Sequence, residues 1–338
     1  MKRLFGFLLL ILLLLAGIFY VTVYTTTVSK WLIKQLVAQN LPDYKIQSLT
    51  IKSQDFHFPR ELKCNDLKTV LKSKNDRYDL SAEHVTLDWL HDLVLAHNGI
   101  ALTVEGFNLN SSNIKLHSLG LKTAIRFGQG TIQAIDGTMK SADVDLYSFK
   151  MTDLTTRLEG AAAVLKFKDF LARGYDGQIK GEITVHYQPD VTFAVDIKLA
   201  GLDLKQLEKF NQSIFSNLEG KLYGNIRIEG DPKNLSSLEV DAKVVEEGKV
   251  RASVLKFFTQ YLPNTQQKAE FDSLVKTNGK LPFEKATFQL KNLDQHNLSG
   301  LLAMSSKTIN LDLNVPLDIK IDGKWDSLIR WWQELPKK

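Results

Sequence analysis

Strict alternation of apolar and polar residues constrains this chain more than any other feature. From Ile309 to Ile321 every second residue is apolar, and the residues between them are Asn, Asp, Lys or Pro. Successive side chains of a β-strand point to opposite faces, so this pattern predicts a strand with one apolar and one solvated face. Similar alternation occurs at Val191–Ala200 and Leu218–Glu229. The chain is therefore predicted to be mainly β, with antiparallel sheet. Weaker versions of the pattern lie at Ile100–Val104, Ile179–Tyr187, Leu238–Val244 and Ala286–Leu290.

The length of the last alternating run predicts an elongated, curved sheet. Thr308–Asp322 has fifteen residues, which would extend roughly 50 Å as one strand, whereas typical strands have about 5–6 residues. Pro316 indicates a bend or an edge position. A curved sheet with a continuous apolar inner face forms a hydrophobic groove; an ordinary sandwich, whose apolar faces cover one another, is the alternative. The candidate groove residues are Val191, Phe193, Val195, Ile197, Leu199, Leu222, Ile226, Ile228, Ile309, Leu311, Leu313, Val315, Leu317 and Ile319.

Glycine-containing turns and short helices interrupt the predicted strands. Turns are predicted at Gly128–Gly130, Asp136–Gly137, Asp176–Gly177 and Gly230–Pro232. Short helices are predicted at Leu204–Phe215, Ser253–Tyr261 and Asp326–Glu334. Asp203 and Asp326 are suitable N-caps for the first and last of these helices.

An uncharged apolar run, Leu4–Tyr24, follows the basic residues Lys2 and Arg3. Its twenty-one residues would span about 31 Å as a helix, which matches the hydrocarbon core of a bilayer. A cleaved signal peptide is the alternative, but its apolar stretch would be shorter, about 7–15 residues. We therefore predict an uncleaved transmembrane anchor. The short basic tail, residues 1–3, favours an N-terminus inside and a translocated body.

Tryptophans mark an amphipathic segment at each end of the predicted β domain. Residues 25–42 carry Trp31 at helical spacing with other apolar residues, and Pro42 ends the segment. Residues 323–338 form the C-terminal counterpart, with Trp325, Trp331 and Trp332. Such tryptophans suit a boundary between water and an apolar phase, so all four are candidate membrane-interface residues. Core packing against the last strand is the alternative for the C-terminal segment.

Neither charge nor motifs indicate an enzyme or a nucleic-acid-binding protein. The net charge of +5 is spread along the chain, whereas nucleic-acid binding usually requires a basic stripe. The histidines His84, His91 and His97 lack a carboxylate at a known ligand spacing. Asp143 and Asp145 fall on the polar side of an alternating strand, where solvated carboxylates are expected. We therefore predict no catalytic residue, no metal and no cofactor.

Three segments together are similar to one known family. They are Tyr44–Ile51 (YKIQSLTI), Leu218–Leu235 (LEGKLYGNIRIEGDPKNL) and Gly248–Pro263 (GKVRASVLKFFTQYLP). With the anchor and the amphipathic helix before them, they resemble AsmA-like proteins of Gram-negative envelopes, which are relatives of TamB. The resemblance covers the overall layout and is best from about Leu199 to Leu262, and the chain is short for the family.

The resemblance implies an inner-membrane anchor at 4–24 and a periplasmic β-rich domain at 43–322. It also implies a non-enzymatic role in moving or organising phospholipid for the outer membrane. Phospholipid acyl chains, the inner membrane and another envelope protein are the implied partners. About fourteen strands at roughly 4.8 Å spacing give a groove near 65 Å, which is short for a complete bridge. A structural or assembly factor of an envelope or secretion complex, with an ordinary sandwich core, is the alternative function.

Overall fold

The protein is mainly β, with long antiparallel sheet and few short helices. The computed structural model describes residues 30–31, 33–35, 37–38, 44–57, 61–73, 76–92, 97–128, 131–147, 149–161, 163–186, 190–208, 215–231, 233–251, 266–277, 279–292, 294, 296–308 and 311–324. The chain divides into two compact units, Met1–Tyr147 and Ser148–Lys338, which are called the N-terminal and C-terminal units below.

The described residues of the N-terminal unit form six long antiparallel strands in sequence order. They are β1 (Lys45–His57), β2 (Glu61–Lys72), β3 (Arg77–Asp92), β4 (His97–Asn110), β5 (Ile114–Gly128) and β6 (Thr131–Leu146). Each pairs with the strand that precedes it and the strand that follows it within the unit. Apolar residues of neighbouring strands lie opposite one another, as Cys64, Val85 and Val104 do. The period of two in the sequence therefore gives one apolar side to this sheet.

In the part of the C-terminal unit that the structure describes, there are nine strands, again in sequence order, and two helices. The strands are β7 (Phe149–Ala161), β8 (Val164–Gly174), β9 (Gly177–His186), β10 (Thr192–Asp203), β11 (Leu218–Gly230), β12 (Leu235–Arg251), β13 (Lys280–Asn292), β14 (Asn297–Ser306) and β15 (Leu311–Lys320). The helices are α1 (Leu204–Leu207) and α2 (Gln266–Lys276). In the described part of the unit β15 pairs only with β14, so Pro316 does lie in an edge strand, where a residue without an N–H donor is tolerated.

Several strands contain a residue with a left-handed backbone that breaks the alternation. Asp66, Ser118, Asp153 and Asp169 have φ values of 49°, 51°, 53° and 52°, in a region that Asp enters more readily than most residues. At Asp66, the apolar residues on either side, Cys64 and Leu67, are three apart rather than two, and both lie opposite apolar residues of β3. The left-handed residue therefore returns the apolar residues of β2 to one face, while the register between β2 and β3 stays unchanged.

Two hairpin turns of the C-terminal unit are closed by the same carboxylate arrangement. Asp231 Oδ1 accepts hydrogen bonds from the backbone N–H groups of Lys233 and Asn234, at 2.6 and 2.8 Å. Asp294 Oδ1 accepts from the backbone N–H groups of His296 and Asn297 at the same two distances. Hydrogen bonds from the Asn234 and Asn297 side chains are the largest cause that lowers the pKa of each aspartate. Both turns therefore favour an ionised aspartate.

Two turn predictions and one cap prediction are confirmed, whereas residues 129–130 of the turn predicted at Gly128–Gly130 and the predicted cap Asp326 lie outside the described residues. Turns occur at Tyr175–Asp176, just before Gly177, and after Gly230. Asp203 caps α1, its carboxylate accepting from the backbone N–H of Lys205 at 2.9 Å. The prediction of a turn at Asp136–Gly137 is wrong, because both residues lie inside β6. Gly137 is instead a point of close approach, since a Cβ there would lie 2.5 Å from the backbone oxygen of Lys122.

The other predictions agree with the structure only in part, or fall outside the described residues. The long final strand is shorter than predicted, because β15 has ten residues. The first short helix is also shorter, with α1 ending at Leu207. The described residues between 30 and 38 are helical, as the first amphipathic segment requires. The predicted anchor at 4–24 and the helices at 253–261 and 326–334 lie outside the described residues. Within the described part, no helix is both long and apolar enough to cross a bilayer.

Candidate functional site

Side chains of the C-terminal unit form apolar rows that run from strand to strand. Ile197 of β10 lies opposite Ile226 of β11, which lies opposite Val240 of β12. Across β13, β14 and β15 this row continues as Leu290, Gly300 and Leu317. Directly opposed side chains have Cβ atoms about 4.5–5.5 Å apart, which brings them into contact. The row is therefore one continuous apolar strip.

Two further rows extend the strip into a surface, which we call the apolar face. One row consists of Ile179, Leu199, Gly224, Ala242, Phe288, Leu302 and Val315. The other consists of Leu202, Leu222, Val244, Ala286, Met304 and Leu313. At about 4.8 Å between strands, the first of these rows covers about 29 Å from β9 to β15.

The apolar face is deeply buried toward β15. Leu313 and Val315 are only 3% and 1% exposed. They belong to a cluster that includes Phe271 of α2, which is 1% exposed, together with Val250, Leu281, Phe283 and Met304. Helix α2 therefore lies over this end of the face, and its apolar residues are contributed at helical spacing by Phe271, Leu274 and Val275.

The apolar face is less covered on β10 and β11. Phe193 and Val195 extend the apolar face along β10, and Ile228, which lies opposite Val195, extends it along β11. These three side chains are half-buried, as are Ile197 and Ile226. These are large apolar side chains that a closed core would bury completely. The face is therefore closed under α2 near β15, whereas these residues of β10 and β11 retain accessible apolar surface, although Ile179 and Leu202 beside them are only 2% and 1% exposed.

The opposite side of the same strands is polar and carries cross-strand ion pairs. Arg227 bonds to Asp196 at 3.0 Å from Nε and lies 3.7 Å from Glu239 through Nη1. The hydrogen bond that Arg227 donates to Asp196 is the main cause that raises the pKa of Arg227. These groups are largely exposed, so the ion pairs contribute little to stability. Their position shows which face of the strands is solvated.

Most predicted groove residues belong to the apolar face, and a few do not fall on it. Those on it within the described residues are Phe193, Val195, Ile197, Leu199, Leu222, Ile226, Ile228, Leu313, Val315, Leu317 and Ile319. Val191 precedes β10 and is 47% exposed. Leu311 begins β15, and its side chain lies outside the described residues, as does all of Ile309. The alternation in the sequence therefore predicted the residues of the face. It did not predict α2, because most residues of that helix are polar and only Phe271, Leu274 and Val275 pack against the cluster.

The other residues singled out from the sequence do not converge on one site. Trp31 is 57% exposed, and Trp325, Trp331 and Trp332 lie outside the described residues. His84 is exposed, with Nδ1 2.8 Å from Asn65 Oδ1. The side chains of His91 and His97 are not among those described. Asp143 is exposed on β6 and Asp145 lies two residues along. Among the described residues no group of three His, Cys, Asp or Glu could hold a metal ion.

Comparison with known proteins identifies no relative of this chain. The chain matches no family model, no curated protein and no solved structure. Arguments about its function therefore start from the geometry of the apolar face.

Proposed function

We propose that this protein is a membrane-anchored, non-enzymatic lipid-handling protein of the bacterial envelope. Its apolar face would shield phospholipid acyl chains during lipid transport or outer-membrane homeostasis, with the curved sheet acting as a hydrophobic groove. The observation that carries the proposal is the half-buried state of Phe193, Val195, Ile197, Ile226 and Ile228 on a face that is continuous across β9–β15. Apolar surface of this extent, left accessible, is typical of a site that contacts lipid or a partner.

The energetics favour a surface of plain hydrocarbon over a specific pocket. Each acyl CH₂ gains about 0.8 kcal/mol when buried, so exposing a sixteen-carbon chain to water costs on the order of 12 kcal/mol. An apolar face removes most of this barrier without holding the lipid tightly. The accessible part of the face extends about 14 Å along β10 from Phe193 to Ile197, and one acyl chain is about half of the roughly 30 Å bilayer core. The accessible part is therefore about as long as a single acyl chain.

The remaining parts of the proposal concern location and partners. The apolar run at 4–24 would anchor the chain in the inner membrane, with the β-rich part in the periplasm. Phospholipid acyl chains are the proposed ligands, and another envelope protein is the proposed partner. Neither nucleic acid nor a cofactor has a role in this proposal.

A structural or assembly factor is the second candidate function. The observation that favours it is the closed end of the apolar face, where Phe271 of α2 packs with Leu313 and Val315 at 1–3% exposure. If the whole face served as an ordinary core of this kind, the protein would bind no lipid. Its envelope role would then depend on its other surfaces.

Two adjacent substitutions in β11 separate the candidate functions. Ile226→Asp places a carboxylate on the half-buried apolar face, whereas Asn225→Asp places one on the exposed polar face of the same strand. Both variants and the wild type are purified in a mild detergent, and co-purifying phospholipid is quantified by mass spectrometry. We expect Ile226→Asp to remain folded and to lose most of its bound lipid, while Asn225→Asp retains it. A wild-type protein without lipid, together with an unfolded Ile226→Asp variant, would reject the lipid function and favour the structural one.

A further inference from the structure

A pocket opens on the polar side of the C-terminal unit, away from the apolar face. Its floor is one cross-strand row in which Thr152 lies opposite Arg173, Arg173 opposite Gln178, Gln178 opposite Ala200, and Ala200 opposite Tyr223. The pocket has a volume of about 850 Å³, which is within the range of small-molecule sites. Five successive strands, β7 to β11, therefore contribute one residue each to a single surface.

Small residues make this surface concave. Ala200 occupies the middle of the row, and Gly174, Gly177 and Gly201 border it. A Cβ on Gly177 would lie 2.7 Å from the backbone of Gly201, so only glycine permits this close approach of β9 to β10. A Cβ on Gly201 would lie 3.5 Å from the Tyr223 hydroxyl at the edge of the pocket, whereas a Cβ on Gly174 would lie 2.8 Å from the backbone oxygen of Lys150.

The rim and walls of the pocket are cationic and rich in donors. Lys150, Arg173 and Lys221 line the pocket, against one carboxylate, that of Asp176. Lys221 Nζ is also 3.4 Å from Asp203 Oδ2, outside the lining, and Arg173 Nε is 3.9 Å from Asp153 Oδ2. Both contacts are long, so each cation retains hydrogen-bonding capacity toward the pocket. Further donors are supplied by Tyr175, Tyr223, Gln178 and Gln206.

Two more lysines lie beside the pocket on the same side of the sheet. Lys180 is directly opposite Lys198 across β9 and β10, two residues along from Gln178 and Ala200, and both lysines are exposed. Neither ammonium belongs to an ion pair with another described residue. Like charges directly opposite each other destabilise a sheet, and a bound anion would relieve their repulsion.

We propose that this pocket binds a phosphate group, with Arg173 as the main ligand and Lys150 and Lys221 as supporting cations. The planar guanidinium donates two parallel hydrogen bonds to phosphate oxygens, and lysine ammonium groups add point charge. A lipid headgroup and a free phosphate share this chemistry. The site is on the opposite side of the strands from the apolar face, so it stands or falls independently of acyl-chain binding.

The test removes two exposed cations of the pocket and compares this variant with a control that loses the same amount of charge elsewhere. The full chain in a neutral detergent is titrated with inorganic phosphate, and binding is followed by ³¹P NMR and calorimetry. The pocket variant is Arg173→Gln with Lys150→Gln, and the matched control is Arg126→Gln with Lys68→Gln, two exposed cations of the N-terminal unit. Each lost charge-assisted contact should weaken binding roughly tenfold. We expect that loss in the pocket variant only, with partial recovery when Arg173→Lys replaces Arg173→Gln.

Two soluble lipids distinguish the sources of the phosphate. Short-chain phosphatidic acid carries the phosphate group with acyl chains, and short-chain diacylglycerol carries the chains alone. A headgroup site predicts that phosphatidic acid binds more tightly than inorganic phosphate and loses affinity in the pocket variant, whereas diacylglycerol is unaffected by the substitutions. A free-phosphate site predicts that inorganic phosphate binds at least as tightly as phosphatidic acid. The proposal is overturned if neither phosphate ligand saturates by roughly 10 mM, or if the control variant loses as much affinity as the pocket variant. Circular dichroism of all variants verifies the fold.

Discussion

Truncation of Leu313 provides a direct test of how the apolar face is closed under α2. Leu313 is 3% exposed, lies opposite Met304, and belongs to the same cluster as Phe271. Leu313→Ala removes three buried carbons and leaves a cavity, because a cluster held by strands on one side and a helix on the other cannot collapse fully. Large-to-small changes of this kind cost about 2–5 kcal/mol.

Leu301 is the matched control, because it is the same residue type in the neighbouring strand. It is 37% exposed and lies opposite Pro316, so Leu301→Ala should cost less than about 1 kcal/mol. For a unit of this length, each kcal/mol lowers Tm by about 2–4 °C. A loss of about 3 kcal/mol at Leu313 therefore lowers Tm by about 6–12 °C.

The charged variant Leu313→Asp adds an unpaired carboxylate to the same cluster. Its desolvation costs several kcal/mol, comparable with the whole stability of about 5–15 kcal/mol. Burial would raise the pKa of the new carboxyl above its unfolded value, so the penalty is smallest below that value and grows as pH rises. Leu313→Asn, which has no charge, should lack this pH dependence.

Thermal unfolding followed by circular dichroism measures the global effect, and hydrogen exchange of β13–β15 measures the local one. The reasoning is refuted if Leu313→Ala lowers Tm by no more than Leu301→Ala. It is also refuted if Leu313→Asp is as stable as Leu313→Asn at neutral pH. Either result would mean that water reaches Leu313 and that α2 does not close this end of the face.

Three other predictions concern separate regions. The protein should stay in the membrane fraction after carbonate washing, because the run at 4–24 is long and apolar; a soluble mature chain starting near residue 25 would contradict the anchor. Asp231→Ala should lower Tm at neutral pH. The difference in Tm between wild type and variant should vanish as pH falls through the lowered native pKa of Asp231, because its carboxylate stabilises the fold only while ionised. A difference in Tm that is independent of pH would contradict the role of charge. Burial raises the pKa of Cys64, so iodoacetamide should modify it at least about tenfold more slowly in the native protein than in urea; equal rates would show that the thiol is exposed.

Alternation in the sequence was sufficient to predict the main features of the fold and of the apolar face. It indicated the antiparallel strands around Val195, Ile226 and Leu313, and the register brings those residues onto one face. The reason is that alternate side chains of a strand point to opposite faces of the sheet. A period of two therefore places the apolar residues on one face, whichever strands pair with it.

Features that depend on contacts between strands were not predictable in the same way. The break in alternation at Asp66 is visible in the sequence only because Cys64 and Leu67 are three residues apart, and the left-handed backbone of Asp66 has no strong sequence signal. Gly137 resembles a turn residue in the sequence. Its actual role is to leave room for the neighbouring strand, because a Cβ there would collide with the backbone of that strand. The polar pocket could not be foreseen, because its five floor residues come from five different strands.

The sequence order of the strands has a consequence for how each unit is made. Within each unit every described strand after the first pairs with the strand synthesised just before it, so most pairings require only a short loop to close, and the longest connection, between β12 and β13, contains α2. Contacts this local permit rapid folding and allow a sheet to lengthen one strand at a time, as stacked repeats do. A chain synthesised from its N-terminus could therefore assemble each sheet strand by strand, with only the most recent strand left unpaired.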